Sequence, residues 1–232
     1  MVEHWRRVSR SSVYLALAVG FVLLCSPLLA AEPPKSQSSL WFDPTQLPSF
    51  TGVVERYLPS PDGRPDRLVF KEGPQIVFPP DVLEAVQHVA PAGRSLVVWG
   101  IRARKAPIIT MLAFAASEGE ATVLDRFYWR AQHGRDKAAK LLLLSGVVKV
   151  PYLSPQGEIC GAILEDGSVV RVDPAVAALD KERFAEHAKL AAEGPGTETS
   201  FGKAIDAERI GETVEKLHPL PKPDSGRPSA QK

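Results

Sequence analysis

The sequence predicts a mainly β protein: two tandem five-stranded barrels, each with a short helix between strands three and four. Three observations predict it. The chain repeats itself at a constant offset, the repeated residues are turn formers, and the segments between the turns alternate faces as strands do.

The repeat comes first. Gly52-Val53-Val54 lies over Gly146-Val147-Val148, and the alignment runs without a gap at an offset of 94. It places Ser60-Pro61 over Ser154-Pro155, Gly63 over Gly157, Gly73 over Gly167, Pro80 over Pro174 and Gly100 over Gly194. Proline and glycine stay in step over roughly 49 positions, which marks a degenerate duplication.

Each repeated residue has a physical task. In Ser-Pro-x-Gly the proline presets its own φ and the glycine supplies a positive φ. Glu72-Gly73 and Asp166-Gly167 are tight-hairpin signals between apolar runs. Strand one is expected at 51–58 and 145–152, strand two at 66–71 and 160–165, and strand three at 74–78 and 168–172. A helix follows: Pro80 suits a first turn, and Asp81 to His88 is amphipathic. Its counterpart is Pro174 to Leu179. Strand four is expected at 94–102 and 188–193. Strand five is expected at 107–114 and, after a slightly longer loop, at 202–208.

Three strands, a helix and two strands is the order of an OB-type barrel. The pattern Gly-x-Val, Pro-x-Gly, acidic-Gly and Phe78-Pro79-Pro80 resembles tandem OB-fold-like modules of uncharacterised exported bacterial proteins. The resemblance covers most of residues 48–212. Its motifs are turns, so it implies fold and little about function. The second copy departs from it at Val172-Asp173-Pro174. Another small β-barrel, such as an SH3-like one, is the alternative fold.

The expected organisation is a signal segment over 1–31, a linker over 32–47, a first barrel over 48–126, a linker over 127–144, a second barrel over 145–212 and a tail over 213–232. Arg6, Arg7 and Arg10 precede an apolar run from Val13 to Leu24, and small residues close it at Ala30 and Ala31. A charged start, a short apolar core and a small-residue exit read as a secretory signal, hence a periplasmic or secreted protein. Leu29 is not the small residue a cut after Ala31 prefers, so an uncleaved membrane anchor is the alternative. Twin-arginine and lipoprotein signals fit poorly, because Ser9 and Leu24 are the wrong residue types for them. Glu118-Gly119-Glu120 is expected to turn into a strand over 121–125. Asp136 to Leu144 reads as a connecting helix, a short helix runs from Ile210 to Leu217, and Pro219 to Lys232 has a disordered composition.

Charge narrows the function. The chain has 28 basic and 27 acidic side chains. Without residues 1–31, which hold three basic and one acidic, the balance is close to −1. A nucleic-acid binder usually carries a basic excess, so that partner is disfavoured. Cys160 alone remains after the signal, so no intramolecular disulfide is available; it reads as a small core residue.

Strand parity separates core from surface. Leu68, Phe70, Ile76, Phe78, Leu96 and Val98 are apolar in both copies at equivalent positions and are assigned to the core. Val69, Lys71, Gln75, Val77 and Trp99 take the outer parity, unless a bulge at Gly100 shifts the register. OB-folds commonly bind ligands on the outer face of strands two and three. In the first copy the candidate ligand residues are Tyr57, Arg67, Lys71, Trp99, Arg102 and Arg104. The linker adds Tyr128, Trp129 and Arg130, since aromatics and arginine are enriched at interaction hot spots. A plainer reading stands beside these. Val69, Val77 and Trp99 are covered by the second barrel or linker, the arginines form a solvated loop, and the aromatic run docks the linker.

No catalytic motif is present, and no histidine pairs with another ligand at metal spacing. No cofactor or metal is expected. The leading expectation is a non-enzymatic exported binding module with an envelope protein or peptide as partner. Nucleic-acid or oligosaccharide binding, and an enzyme of unrecognised class, are the alternatives.

Overall fold

A computed structural model describes residues 40–116, 120–128 and 139–221. The signal-like segment, Glu118-Gly119, Trp129, Arg130, residues 131–138 and the tail from 222 onward lie outside the described residues. Among the described residues no helix is long and apolar enough to cross a membrane.

The architecture is mainly β, in two sheets of matching topology. The first contains β1 (Ser49–Leu58), β2 (Arg67–Phe70), β3 (Gln75–Val77), β4 (Ser95–Arg102) and β5 (Ile108–Ala115). Their order is β3-β2-β1-β4-β5, and a parallel β3–β5 pairing closes them into a ring. Helix α1 (Leu83–Val89) lies between β3 and β4 in the chain, and the short β6 (Thr122–Val123) adds to β5. The second sheet contains β7 (Lys140–Leu153), β8 (Ile159–Leu164), β9 (Val169–Arg171), β10 (Lys189–Thr199) and β11 (Gly202–Asp206). Parallel β9–β11 pairing closes this ring too. Helix α2 (Pro174–Ala177) falls between β9 and β10, while β12 (Arg209–Gly211) and β13 (His218–Pro219) extend the edge beyond β10.

The turns work as their residues suggest. Gly63 and Gly157 share φ +90°, and Gly73 and Gly167 are also in the left-handed region. Gly100 and Gly194 serve a different need: a Cβ on either would sit about 2 Å from a carbonyl oxygen of the adjoining strand, Thr110 or Asp206. In the first ring this is a bulge, since the β4–β5 register shifts between Trp99 and Gly100.

One parity of each strand fills its ring. Val54, Leu68, Phe70, Ile76, Phe78, Leu96, Val98 and Phe114 form the first core. Val148, Ala162, Leu164, Val170, Leu190, Ala192 and Phe184 form the second.

Two sequence expectations are corrected. The helix expected over 136–144 is not formed where it is described, because Lys140 to Leu144 begins β7 and pairs with β10. Leu142 and Leu144 turn toward the core while Leu141 and Leu143 stay 65% and 50% exposed, a period of two. Four successive leucines suit helix and strand equally; the available edge of β10 decides between them. The helix expected from Ile210 to Leu217 shrinks to one 3-10 turn, Val214–Lys216, between two short strands.

The rings meet through the same surface of each copy. Leu58 and Tyr152 are repeat-equivalent, as are Val69 and Ile163, and all four share one buried cluster with Val169 and Ala204. Glu55 and Lys149, also equivalent, form an ion pair across the seam. Two more contacts are reciprocal. Gly63 faces Thr197 and Thr199 in the second copy's β10–β11 hairpin, and Gly157 faces Ala103 and Ala106 in the first copy's β4–β5 hairpin. Equivalent residues meeting one another define a pseudo-two-fold interface within one chain.

The Glu55–Lys149 pair breaks that symmetry with opposite charges. Glu55→Lys is expected to lower unfolding free energy by about 1 kcal/mol, and the double variant Glu55→Lys, Lys149→Glu should recover most of that. Urea denaturation of the four members of the cycle checks it; additive losses would show that the two side chains do not interact.

Candidate functional site

The seam decides where the sequence-derived candidates stand. Tyr57, at the end of β1, is 5% exposed; its hydroxyl donates to the Ala90 carbonyl at 2.7 Å, and burial pushes its pKa up. Its ring meets Phe78 and, from the second copy, Phe201 edge-on.

Arg67 is 3% exposed and sits between the rings. One guanidinium nitrogen, Nη1, donates to Gln75 Oε1 and to the Leu153 carbonyl, each at 2.6 Å. Gln75 Nε2 in turn donates to the Pro151 carbonyl at 2.7 Å. The guanidinium carbon lies 3.8 Å from the centroid of the Tyr152 ring, a stacked cation–π contact. The second copy has Gly161 at the position of Arg67 and Val169 at that of Gln75, so this polar network comes from the first copy alone.

Trp99 points away from the ring core, as its parity requires, yet is only 7% exposed. It packs with Val97, Ala113 and Ala115 against Ala121 of the segment after β5. The 3-10 turn Pro44–Gln46 also lies on β4 and β5. Tyr57, Arg67 and Trp99 are therefore placed under cover and not on an open face. Tyr57 belongs to the first ring's core, Arg67 is held by its polar and stacking contacts across the seam, and the outward apolar area of Trp99 is covered by the segment after β5.

The remaining candidates differ. Lys71 is exposed on the β2–β3 hairpin, and Arg102, Arg104 and Lys105 are exposed on the β4–β5 hairpin. Tyr128 is half-buried against the seam cluster of Val77, Ile108 and Leu153, and its hydroxyl is 3.4 Å from Asp66 Oδ2. Trp129 and Arg130 lie outside the described residues.

Beside the β4–β5 hairpin is a cavity of about 400 Å³ that the sequence did not point to. Gly157, Glu158 and Ile159 form one wall; Pro174, Ala178 and Lys181, at and beyond α2, form the other. Gly157 is also the residue that the hairpin's Ala103 and Ala106 approach. The arrangement is a shallow concavity of mixed polar and apolar lining, with one acid and one base, next to a loop carrying three exposed cations. Among the described residues no group of three or more His, Cys, Asp or Glu side chains is placed to hold a metal ion.

No protein-family model matches this sequence, and no curated protein matches it. The function is therefore argued from the site alone.

Burial separates structural from surface roles experimentally. Trp99→Ala is expected to cost about 3 kcal/mol of stability, as large-to-small changes in packed sites do. Arg102→Ala should change stability by less than about 0.5 kcal/mol, as exposed positions do. Equal effects of the two in chemical denaturation would contradict this assignment of roles.

Proposed function

We propose that the protein is an exported, non-enzymatic binding module built from two OB-type barrels, with an envelope protein or peptide as its partner. Its ligand surface lies where the first barrel's β4–β5 hairpin abuts the second barrel. Export is read from the N-terminal segment, and the OB-type assignment from strand order, ring closure and the helix between strands three and four.

One observation carries the choice of surface. The outer faces of strands two and three, where such barrels commonly bind, are occupied by each other: Val69, Gln75 and Val77 in one copy and Ile163 and Val169 in the other are all buried. The basic hairpin and its neighbouring cavity remain open. What supports placing a ligand there is that the cavity is concave, has both apolar and charged lining, and adjoins the exposed cations.

Single-stranded nucleic acid is a weaker fit, because its bases need exposed stacking aromatics. Tyr57 and Trp99 are both buried.

Cross-linked pull-down from the envelope fraction tests the surface. The wild-type protein should retain a defined partner, and the triple variant Arg102→Ala, Arg104→Ala, Lys105→Ala should lose most of it. A partner set unchanged by the triple variant would refute the surface, and salt-sensitive retention on single-stranded DNA would move the reading to nucleic acid.

A further inference from the structure

The two copies treat one strand edge differently. In each ring the first strand pairs with the fourth along its opening half and with the second along its closing half. The far side of the opening half is therefore a sheet edge. Main-chain direction alternates along it. Val148 bonds to Ala188 and His187 just ahead of β10, while the Val147 carbonyl accepts from the Glu165 N–H at 3.0 Å on the opposite side. By the same alternation Leu141, Leu143 and Ser145 aim their N–H and C=O groups away from β10. The pairing of β8 with β7 starts only at Val148, so no strand among the described residues meets those groups.

In the first copy this edge is short and guarded. β1 begins at Ser49, the counterpart of Leu143, whereas β7 begins earlier, at Lys140. The Val53 N–H, which faces the edge, donates to Glu72 Oε2 at 3.0 Å. Asp166, the counterpart of Glu72, instead accepts from the Ser168 N–H and hydroxyl, each at 2.8 Å. The outward side chains differ too. The first copy has Ser49 and Thr51; the second has Leu143 and Ser145, with Leu141 before them. Both of these leucines are exposed. Proteins ordinarily protect an edge with charge, proline or cover. Residues 141–148 carry no charged side chain and no proline.

We propose that the protein forms a two-fold dimer by antiparallel pairing of β7 with β7 of a second copy, on an axis through Leu143. The span of the open edge selects this occupant. It runs from Lys140, where β7 begins, to Gly146, beyond which Glu165 takes the place alongside Val147. Leu143 is its midpoint, so the open segment of one chain pairs in full with that of another. Leu141 then stands opposite the second chain's equivalent of Ser145, and Leu143 opposite its own equivalent. Each edge-facing N–H meets a carbonyl. The exposed leucines of both chains come together on one face, where cross-strand and diagonal neighbours touch. Charge does not oppose the pairing. The two Lys140 ammonium groups end up roughly 20 Å apart at the ordinary rise of a strand, beyond a screening length of about 8–10 Å. Self-association of this kind is independent of the polypeptide partner assigned to the hairpin surface.

Sedimentation velocity of the intact chain over a concentration series tests it. A monomer–dimer equilibrium is expected, and amide exchange at Leu141, Leu143 and Ser145 should slow as concentration rises. Leu143→Lys and Leu143→Glu each put like charges on the axis and should weaken dimerisation by about tenfold or more. At low concentration both should melt as the wild type does, because position 143 is exposed. An equimolar mixture of the two variants should dimerise again, since lysine then faces glutamate. Association through the apolar run at 13–24 would survive both variants. A wild type that stays monomeric, a dimer that survives both variants, or a mixture that stays monomeric would each overturn the proposal. Capture of a foreign extended strand by a monomeric wild type, with the same amides protected, would make another protein the occupant and overturn it as well.

Discussion

The structure depends on one burial event: the outer faces of strands two and three in each ring cover one another. A five-stranded ring fills its interior with one parity of side chains, which leaves the other parity to be solvated or covered. Here that other parity is apolar, with Leu58, Val69 and Val77 on one side and Tyr152, Ile163 and Val169 on the other. Removing this area from water requires the second ring, so neither copy presents the surface of an independent domain. Arg67, the candidate within that face, is thereby committed to structure, while Lys71 at its hairpin end stays exposed.

A duplicated sequence would by itself make a seam of identical halves. The present one has diverged at its centre. Glu55 meets Lys149, so pairing of like copies would bring two carboxylates or two ammonium groups together. Arg67 and Gln75 reach across to the Leu153 and Pro151 carbonyls, and no reciprocal reach exists because Gly161 and Val169 stand at the corresponding positions. Gly161 is also held at φ +144°, with the Val170 carbonyl where a Cβ would be, so the arginine could not be duplicated there without moving backbone. These polar contacts add specificity to an interface whose bulk attraction is apolar and undirected.

The same divergence creates the difference between the two ends of the molecule. In the second copy the two-residue turn Ser200-Phe201 delivers Phe201 to the first ring's core, and in the first copy the five-residue loop 103–107 sets Ala103 and Ala106 beside the second ring. Tyr128 packs with Ala103, Ala106 and Ile159 at the second contact. The exposed cations Arg102, Arg104 and Lys105 adjoin that second contact.

Much of the local structure was legible in the amino-acid order. Strand positions, the turn glycines and the core parity follow from alternation and from the steric demands of Pro and Gly, which act over a few residues and survive duplication. The segment Lys140–Leu144 was not legible, because four leucines satisfy either period until β10 offers its hydrogen bonds. Nor was the burial of Tyr57 and Arg67, since parity says which way a side chain points and not what meets it; cover over Trp99 was one of two readings that the sequence allowed. The cavity between Gly157 and Lys181 had no trace in the sequence, because it depends on how a turn and a helix come together. By itself the sequence determined the repeat, its turns and the inward faces, all local consequences of backbone geometry. Only the tertiary structure decided which outward faces stay in water, because that depends on the docking of one ring against another.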